Sequence, residues 1–294
     1  MWDIKGKALG RPVYDLLGGR FRTGIPLYAN SWFRDCSSPE DYALAARRVV
    51  DQGYTAMKMD PFLEMRPFHS TVEGAIGVEA DSGYVSGNIS AAGEQQGIDI
   101  TAAVRDAVGP HIEILIDAHG HYNVASAIRI GRRLEPYRIG WLEEPVPPDS
   151  TGALKQVRDA VDVPISIGER LYGRHDLVPI LENHLADYIM QDVCWIGGIS
   201  ELRKVAHMLE PYYVPISPHT VLGPFQVLAA AHAMMTVPNL YRVEFSVTGL
   251  EVYDQMLDRP LDVRDGHLYL SDRPGLGYEL NDDFMRAHTV ERRR

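Results

Sequence analysis

Asp117, Glu143 and Glu169 recur at a spacing of 26 residues (117 to 143, 143 to 169), each closing a short apolar run: Ile-Leu-Ile-Asp, Gly-Trp-Leu-Glu and Ile-Ser-Ile-Gly-Glu. Three carboxylates brought together repel one another unless a cation neutralises them. Three hard oxygen ligands with room left for a substrate suit Mg²⁺, and Mn²⁺ accepts the same set. Singly, each would read as a helix cap or an ion-pair partner; their common register points to a metal. Glu144, beside Glu143, is expected to point the opposite way along its strand. Asp192 and His219 stand 27 residues apart (192 to 219), at the same repeat. A carboxylate beside an imidazole fixes its tautomer and raises its basicity, so the pair reads as a general base. Glu244 closes the last run and reads either as a hydrogen-bond donor to a developing oxyanion or as the ion-pair partner of an arginine. His119, two residues beyond Asp117, shares its face on an extended segment and could protonate a leaving hydroxyl, with His121 a weaker candidate. Lys58 shares a face with Asp60; it reads as holding a substrate carboxylate, acting as a base, or simply pairing with Asp60.

Residues of this kind converge only if the elements carrying them are parallel. Apolar runs fall at 25–29, 56–59, 114–117, 140–143, 164–168, 188–191, 214–217 and 241–244. Between most of them lie segments with helical apolar spacing, such as Ala125, Ile128 and Leu134, or Ile199, Leu202, Val205, Ala206 and Leu209. Strand–helix alternation repeated eight times predicts an α/β fold of the (β/α)8 TIM-type barrel, in which the C-terminal strand ends form one rim. Residues 1–24 are expected to form helices before the barrel and 25–250 the barrel itself. A Gly- and Ser-rich insertion is expected around 63–98, and 251–294 should pack outside, with a short strand pair near Gly266 and a frayed tail at Arg292, Arg293 and Arg294. The insertion would lie on the rim side, where lids occur, or would be a plain surface excursion.

The 294 residues hold 40 acidic and 29 basic side chains, a formal charge of −11. That balance argues against nucleic-acid and membrane-surface partners. Two cysteines make no disulfide framework, no signal-peptide run opens the chain, and no stretch of 18 apolar residues occurs, so a cytoplasmic protein is expected.

The motifs resemble those of the enolase superfamily, in its mandelate racemase/muconate lactonizing enzyme-like branch, over nearly the whole chain. Asp117-Ala118-His119, Trp141-Leu142-Glu143-Glu144-Pro145 and Gly168-Glu169-Arg170 are similar to that family's three metal-ligand signatures. Asp192 with Gly197-Gly198-Ile199, followed by Pro218-His219, is similar to its Asp–His dyad. His119 and the segment from Pro218 to Pro224 most resemble galactonate dehydratase-type sugar-acid dehydratases. The resemblance implies Mg²⁺ on Asp117, Glu143 and Glu169, with His219, tuned by Asp192, removing the proton α to the substrate carboxylate. Glu244 and Lys58 would steady the enediolate, and His119 would protonate the departing β-hydroxyl to give a 2-keto-3-deoxy acid. It also implies a small-molecule sugar-acid substrate and a homo-oligomer. The alternatives are an epimerase or cycloisomerase of the same superfamily, or a catalytically silent truncated barrel. Two departures stand out. Lys58-Met59-Asp60 replaces the Lys-x-Lys common in the family, which disfavours racemisation by a second lysine base. The sequence also begins where the family's N-terminal capping domain ends, so most of that domain is expected to be absent.

Overall fold

A strand buried on both faces reads as a continuous apolar run, and most of the runs in this chain form such strands. The computed structural model describes residues 1–62 and 87–289, which divide into two compact units: Trp32–Met190, and Met1–Ser31 with Gln191–Arg294. The strands are β1 (Ile25–Asn30), β2 (Ala56–Met59), β3 (Glu113–Asp117), β4 (Trp141–Glu143), β5 (Ile165–Ile167), β6 (Tyr188–Ile189), β7 (Val243–Ser246), β8 (Val263–Arg264) and β9 (His267–Leu268).

In the unit Trp32–Met190, β2 to β6 pair in parallel and in sequence order. The helices Ala91–Val108, Val124–Leu134, Thr151–Arg158 and Arg174–Glu182 connect them, and Pro39–Asp51 precedes β2. The sequence marks where several of these helices start. Ser90, Asn123 and Ser150 accept the backbone N–H groups of Gly93, Ser126 and Ala153, and Ser38 with Asp41 forms a reciprocal capping box. Helix Ala91–Val108 begins inside the expected insertion; the rest of that insertion, 63–86, lies outside the described residues, as does the Arg292–Arg294 tail. Gly97 lets this helix approach Phe62, whose ring would stand 2.2 Å from a Cβ there. The buried face of Val124–Leu134 is Ala127, Ile130, Gly131 and Leu134, turned from the expected Ala125 and Ile128, because Val161 packs where Gly131 has no side chain.

In the other unit, β1 pairs in parallel with β7, placing Tyr28 beside Glu244, and antiparallel with β9. The strand pair expected near Gly266 is the β8–β9 hairpin, turned by Asp265 and Gly266 at φ 48° and 64°. The run 214–217 forms no strand: its pairing is reduced to an isolated bridge between Ile216 and Leu240. Pro215 and Pro218 flank that bridge and remove the backbone donors that a ladder needs. Helix Ile199–Leu209 buries Leu202, Val205, Ala206 and Leu209, the face expected from its spacing. Among the described residues, no helix is long and apolar enough to cross a membrane.

His232, on helix Pro224–Met234, ties the N-terminal helices Trp2–Leu9 and Val13–Leu16 to this unit. The Tyr14 backbone N–H donates to its Nδ1 at 3.1 Å, so the ring proton sits on Nε2, which faces the Leu276 carbonyl at 3.2 Å. Burial pushes this imidazole down to about 4, only partly offset by the Leu276 carbonyl and Asp3. With its folded value below the ordinary one, the unfolded chain binds more protons in the interval. Stability is therefore full above about pH 6.5 and lost as pH falls through 4, by up to roughly 3 kcal/mol. Thermal denaturation between pH 7 and 4 is expected to show this acid loss, and His232→Gln to flatten it.

Candidate functional site

The parallel register of β3, β4 and β5 sets the first constellation. Asp117 and Glu143 are direct neighbours across the ladder, and Glu169 follows β5 beyond Gly168, whose φ of 140° turns the chain. One carboxylate oxygen from each of the three lies within 4.8 Å of the others, and all three side chains are buried. This is a set of hard, anionic oxygen donors, the chemistry that suits Mg²⁺ or Mn²⁺. Lys58, on β2, reaches into it rather than toward Asp60 alone: its Nζ stands 2.9 Å from Asp117 Oδ2 and 2.8 and 3.1 Å from the two Glu143 oxygens. The Trp141 indole N–H also donates to Glu143, at 3.1 Å. Burial alone would raise Asp117, but His119 and Lys58 hold it well below the ordinary carboxylate range.

Around this trio the backbone leaves regular strand geometry. Glu144 has a φ of 38° and His119 a φ of 49°. As expected from its position, Glu144 is outside the converging trio; it is buried, paired with Arg170, and pushed up to about 7 by burial and by Glu169, against the pull of Arg170. Arg170 also pairs with Glu169, at 2.6 Å. The His119 backbone N–H donates to Asp117 Oδ1 at 2.9 Å, and its ring Nδ1 lies 3.4 Å from the same oxygen and 3.6 Å from Asp60 Oδ2. Burial opposes charge on this ring, but Asp117, Asp60 and Glu169 together raise its affinity for a proton. His121 stacks on it, the centroids 5.7 Å apart. Asp60 itself is pushed up to about 7 by burial, with His119 pulling the other way.

The second constellation belongs to the other unit. Asp192 and His219 share a backbone bridge, and His219 Nδ1 lies 2.7 Å from Asp192 Oδ2. A carboxylate accepts only, so Nδ1 carries a proton and Nε2 is the nitrogen turned away from Asp192, the one a base would use. Burial would raise Asp192, but donation from His219, from Gln226 Nε2 at 2.5 Å and from the Cys194 N–H at 2.7 Å keeps it low and ionised. Glu244, fully buried on β7, accepts from Asn30 Nδ2 at 2.6 Å and from the Thr220 N–H at 3.0 Å, and lies 4.0 Å from His219 Nε2. Both of its oxygens act as acceptors here, toward the Asn30 side-chain amide and the Thr220 backbone amide. Gln226 and Asn30 carry no signal of these roles in the sequence, whereas Arg170 and Thr220 stand inside motifs that carry the family resemblance. Asp60 and Glu144 did stand beside singled-out residues, and their acidity was the available clue.

Comparison with known proteins identifies the family. The Enolase C-terminal domain-like family matches residues 41–284. A D-gluconate dehydratase of Thermoproteus tenax is 31% identical over 298 residues, covering 99% of this chain. The chain spans only 55% of that relative's length. A D-galactarolactone cycloisomerase of Agrobacterium fabrum is 32% identical, over 97% of this chain and 70% of its own. A mandelate racemase/muconate lactonizing enzyme-like protein of Rubrobacter xylanophilus superposes with a TM-score of 0.85 at 34% identity, over 99% of this chain and 75% of its own.

Lys58 supplies the ammonium within the carboxylate trio, and removing one partner of a buried ion pair costs about 3–5 kcal/mol. Lys58→Met is therefore expected to lower the melting temperature in chelator. Added Mg²⁺ or Mn²⁺ should raise that temperature more in the variant than in the native chain, as read by paired thermal melts.

Proposed function

The chain belongs to the enolase superfamily, in its mandelate racemase/muconate lactonizing enzyme-like branch, and from that premise we infer that it catalyses the metal-dependent dehydration of a sugar acid to a 2-keto-3-deoxy acid. The observation that carries this reading is the convergence of Asp117, Glu143 and Glu169 on one point. With this function goes the (β/α)8 architecture expected from the strand–helix alternation.

Asp117, Glu143 and Glu169 would hold the divalent cation, which when bound supplies positive charge for a substrate carboxylate and for the negative charge that grows on it. Lys58 adds a second positive charge at the same carboxylates and orients the trio. His219 removes the proton α to the substrate carboxylate through Nε2; Asp192 holds the ring in the required tautomer and stabilises the imidazolium that results. Glu244 supports that protonated ring, and its bonds to Asn30 and Thr220 keep it in place. His119 gives a proton to the β-hydroxyl as it leaves. Local charge of this kind lets a chain of net charge −11 take an anionic substrate.

A second reading, epimerisation or cycloisomerisation after the same α-proton removal, is favoured by the 32% identity to the cycloisomerase. The product separates the two. Proton NMR in D₂O with Mg²⁺ and a panel of aldonic and aldaric acids is expected to show loss of the C2 proton and appearance of a 2-keto-3-deoxy product. C2 exchange or epimer formation without loss of water selects the second reading; no C2 exchange with any acid rejects both. In His219→Asn, exchange and product formation are expected to fall by at least about 100-fold, the usual share of a general base, with metal binding retained.

A further inference from the structure

We propose that Asp60 is the positioning residue of His119, the carboxylate that holds the imidazole so that Nε2 delivers its proton to the departing hydroxyl. This rests on the dehydration reading above and names the group that makes its second half work. The ring is constrained on three sides. Its backbone sits in the left-handed region and is fixed by the N–H bond to Asp117; Gly120 continues the turn by donating to the Glu144 carbonyl at 2.7 Å. His121 stacks against one face. Nδ1 then faces two carboxylates, Asp117 Oδ1 at 3.4 Å and Asp60 Oδ2 at 3.6 Å.

These two are not equivalent partners. Asp117 already accepts the His119 backbone N–H and the Lys58 ammonium, and it belongs to the converging trio, so its lone pairs are committed when a cation is held there. Asp60 is outside the trio. Its place is set independently: the Tyr42 hydroxyl donates to its backbone carbonyl at 2.9 Å, and Pro61 follows it. With Asp117 engaged by the cation, Asp60, its carboxylate 3.6 Å from Nδ1, is the group that orients the ring. The result mirrors Asp192 and His219, a carboxylate on Nδ1 that leaves Nε2 for proton transfer.

The step balances without a further reactant. The electron pair left at C2 when His219 takes the α-proton forms the C2–C3 double bond. The C3–O bond breaks, its pair leaves with oxygen, and that oxygen takes the Nε2 proton of His119 and departs as water. The enol then tautomerises to the keto acid.

The test separates proton removal from hydroxyl loss, using D-gluconate and D-xylonate as probes with their 3-deoxy-3-fluoro analogues, whose fluoride leaves with less need of an acid. In Asp60→Asn, C2 exchange and KM are expected to stay within about threefold of the native chain, while kcat for dehydration falls about 10- to 100-fold, as when a carboxylate orienting a histidine is removed. Fluoride release should stay near native, and Asp60→Glu should recover part of the loss. Native dehydration in Asp60→Asn overturns the proposal. So does an equal fall in exchange, dehydration and fluoride release. A readout independent of activity is the long-range ¹H–¹⁵N spectrum of the Mg²⁺-containing protein without substrate. The His119 Nδ1–H is expected to show the shifts of a proton hydrogen-bonded to a carboxylate in the native chain and to lose them in Asp60→Ala, whichever protonation the ring carries at Nε2; unchanged ring signals contradict the assignment. If the native chain exchanges no C2 proton with any acid, the dehydration reading fails, and this spectrum alone decides the role of Asp60.

Discussion

Like charge held away from water is the constraint around which the unit Trp32–Met190 is organised. Asp117, Glu143 and Glu169 converge within 4.8 Å while buried, and the negative charge of Asp117 and Glu169 reaches Glu144 and Asp60. A buried carboxylate either finds a positive partner or takes up a proton. Both pressures act here: Lys58 pairs with Asp117 and Glu143, and Arg170 with Glu144 and Glu169, while burial still pushes Asp60 and Glu144 up to about 7. Replacing such charges with apolar residues of similar size would often be neutral or stabilising, so their concentration at one place is better explained by function than by stability. The positive φ values of His119, Glu144 and Gly168 cluster at the same strand ends, where strained backbone accompanies a site.

The unit formed by Met1–Ser31 and Gln191–Arg294 solves a smaller version of the same problem with hydrogen bonds. Three donors, His219, Gln226 and the Cys194 N–H, keep Asp192 ionised in a buried position, and an ionised Asp192 fixes the His219 tautomer. Glu244 is satisfied by Asn30 and Thr220. The two constellations thus differ in character: one is an excess of negative charge suited to a cation, the other an imidazole whose Nδ1 proton is held by a carboxylate.

Much of this was legible because it depends on a period. Parallel strands place successive C-terminal ends side by side, so the repeat joining Asp117, Glu143 and Glu169 gave their convergence, and the repeat joining Asp192 to His219 gave that contact. Partners reached across the sheet or from a helix have no such period. Nothing in the sequence distinguishes Gln226 from any other glutamine in a first helical turn, or shows Lys58 turning to Glu143. The run 214–217 matched the apolar template, yet Pro215 within it and Pro218 just after it prevented a ladder. In helix Val124–Leu134 the expected Leu134 is buried, but Ala125 and Ile128 are not, because the buried face also runs through Ser126 and Gly131, which no apolar pattern marks. The part of the expected insertion at 63–86 lies outside the described residues.

The central claim, that the carboxylate trio is a divalent-cation site, is tested most directly by titrating the chain with Mn²⁺ and counting free ion by electron paramagnetic resonance, beside Glu143→Gln and Glu169→Gln. The account predicts one Mn²⁺ per chain, displaced by Mg²⁺, with affinity falling at least about tenfold when either charged oxygen ligand is lost. Equal Mn²⁺ binding in the native chain and both variants would contradict it, since the converging carboxylates would then not be where the cation sits.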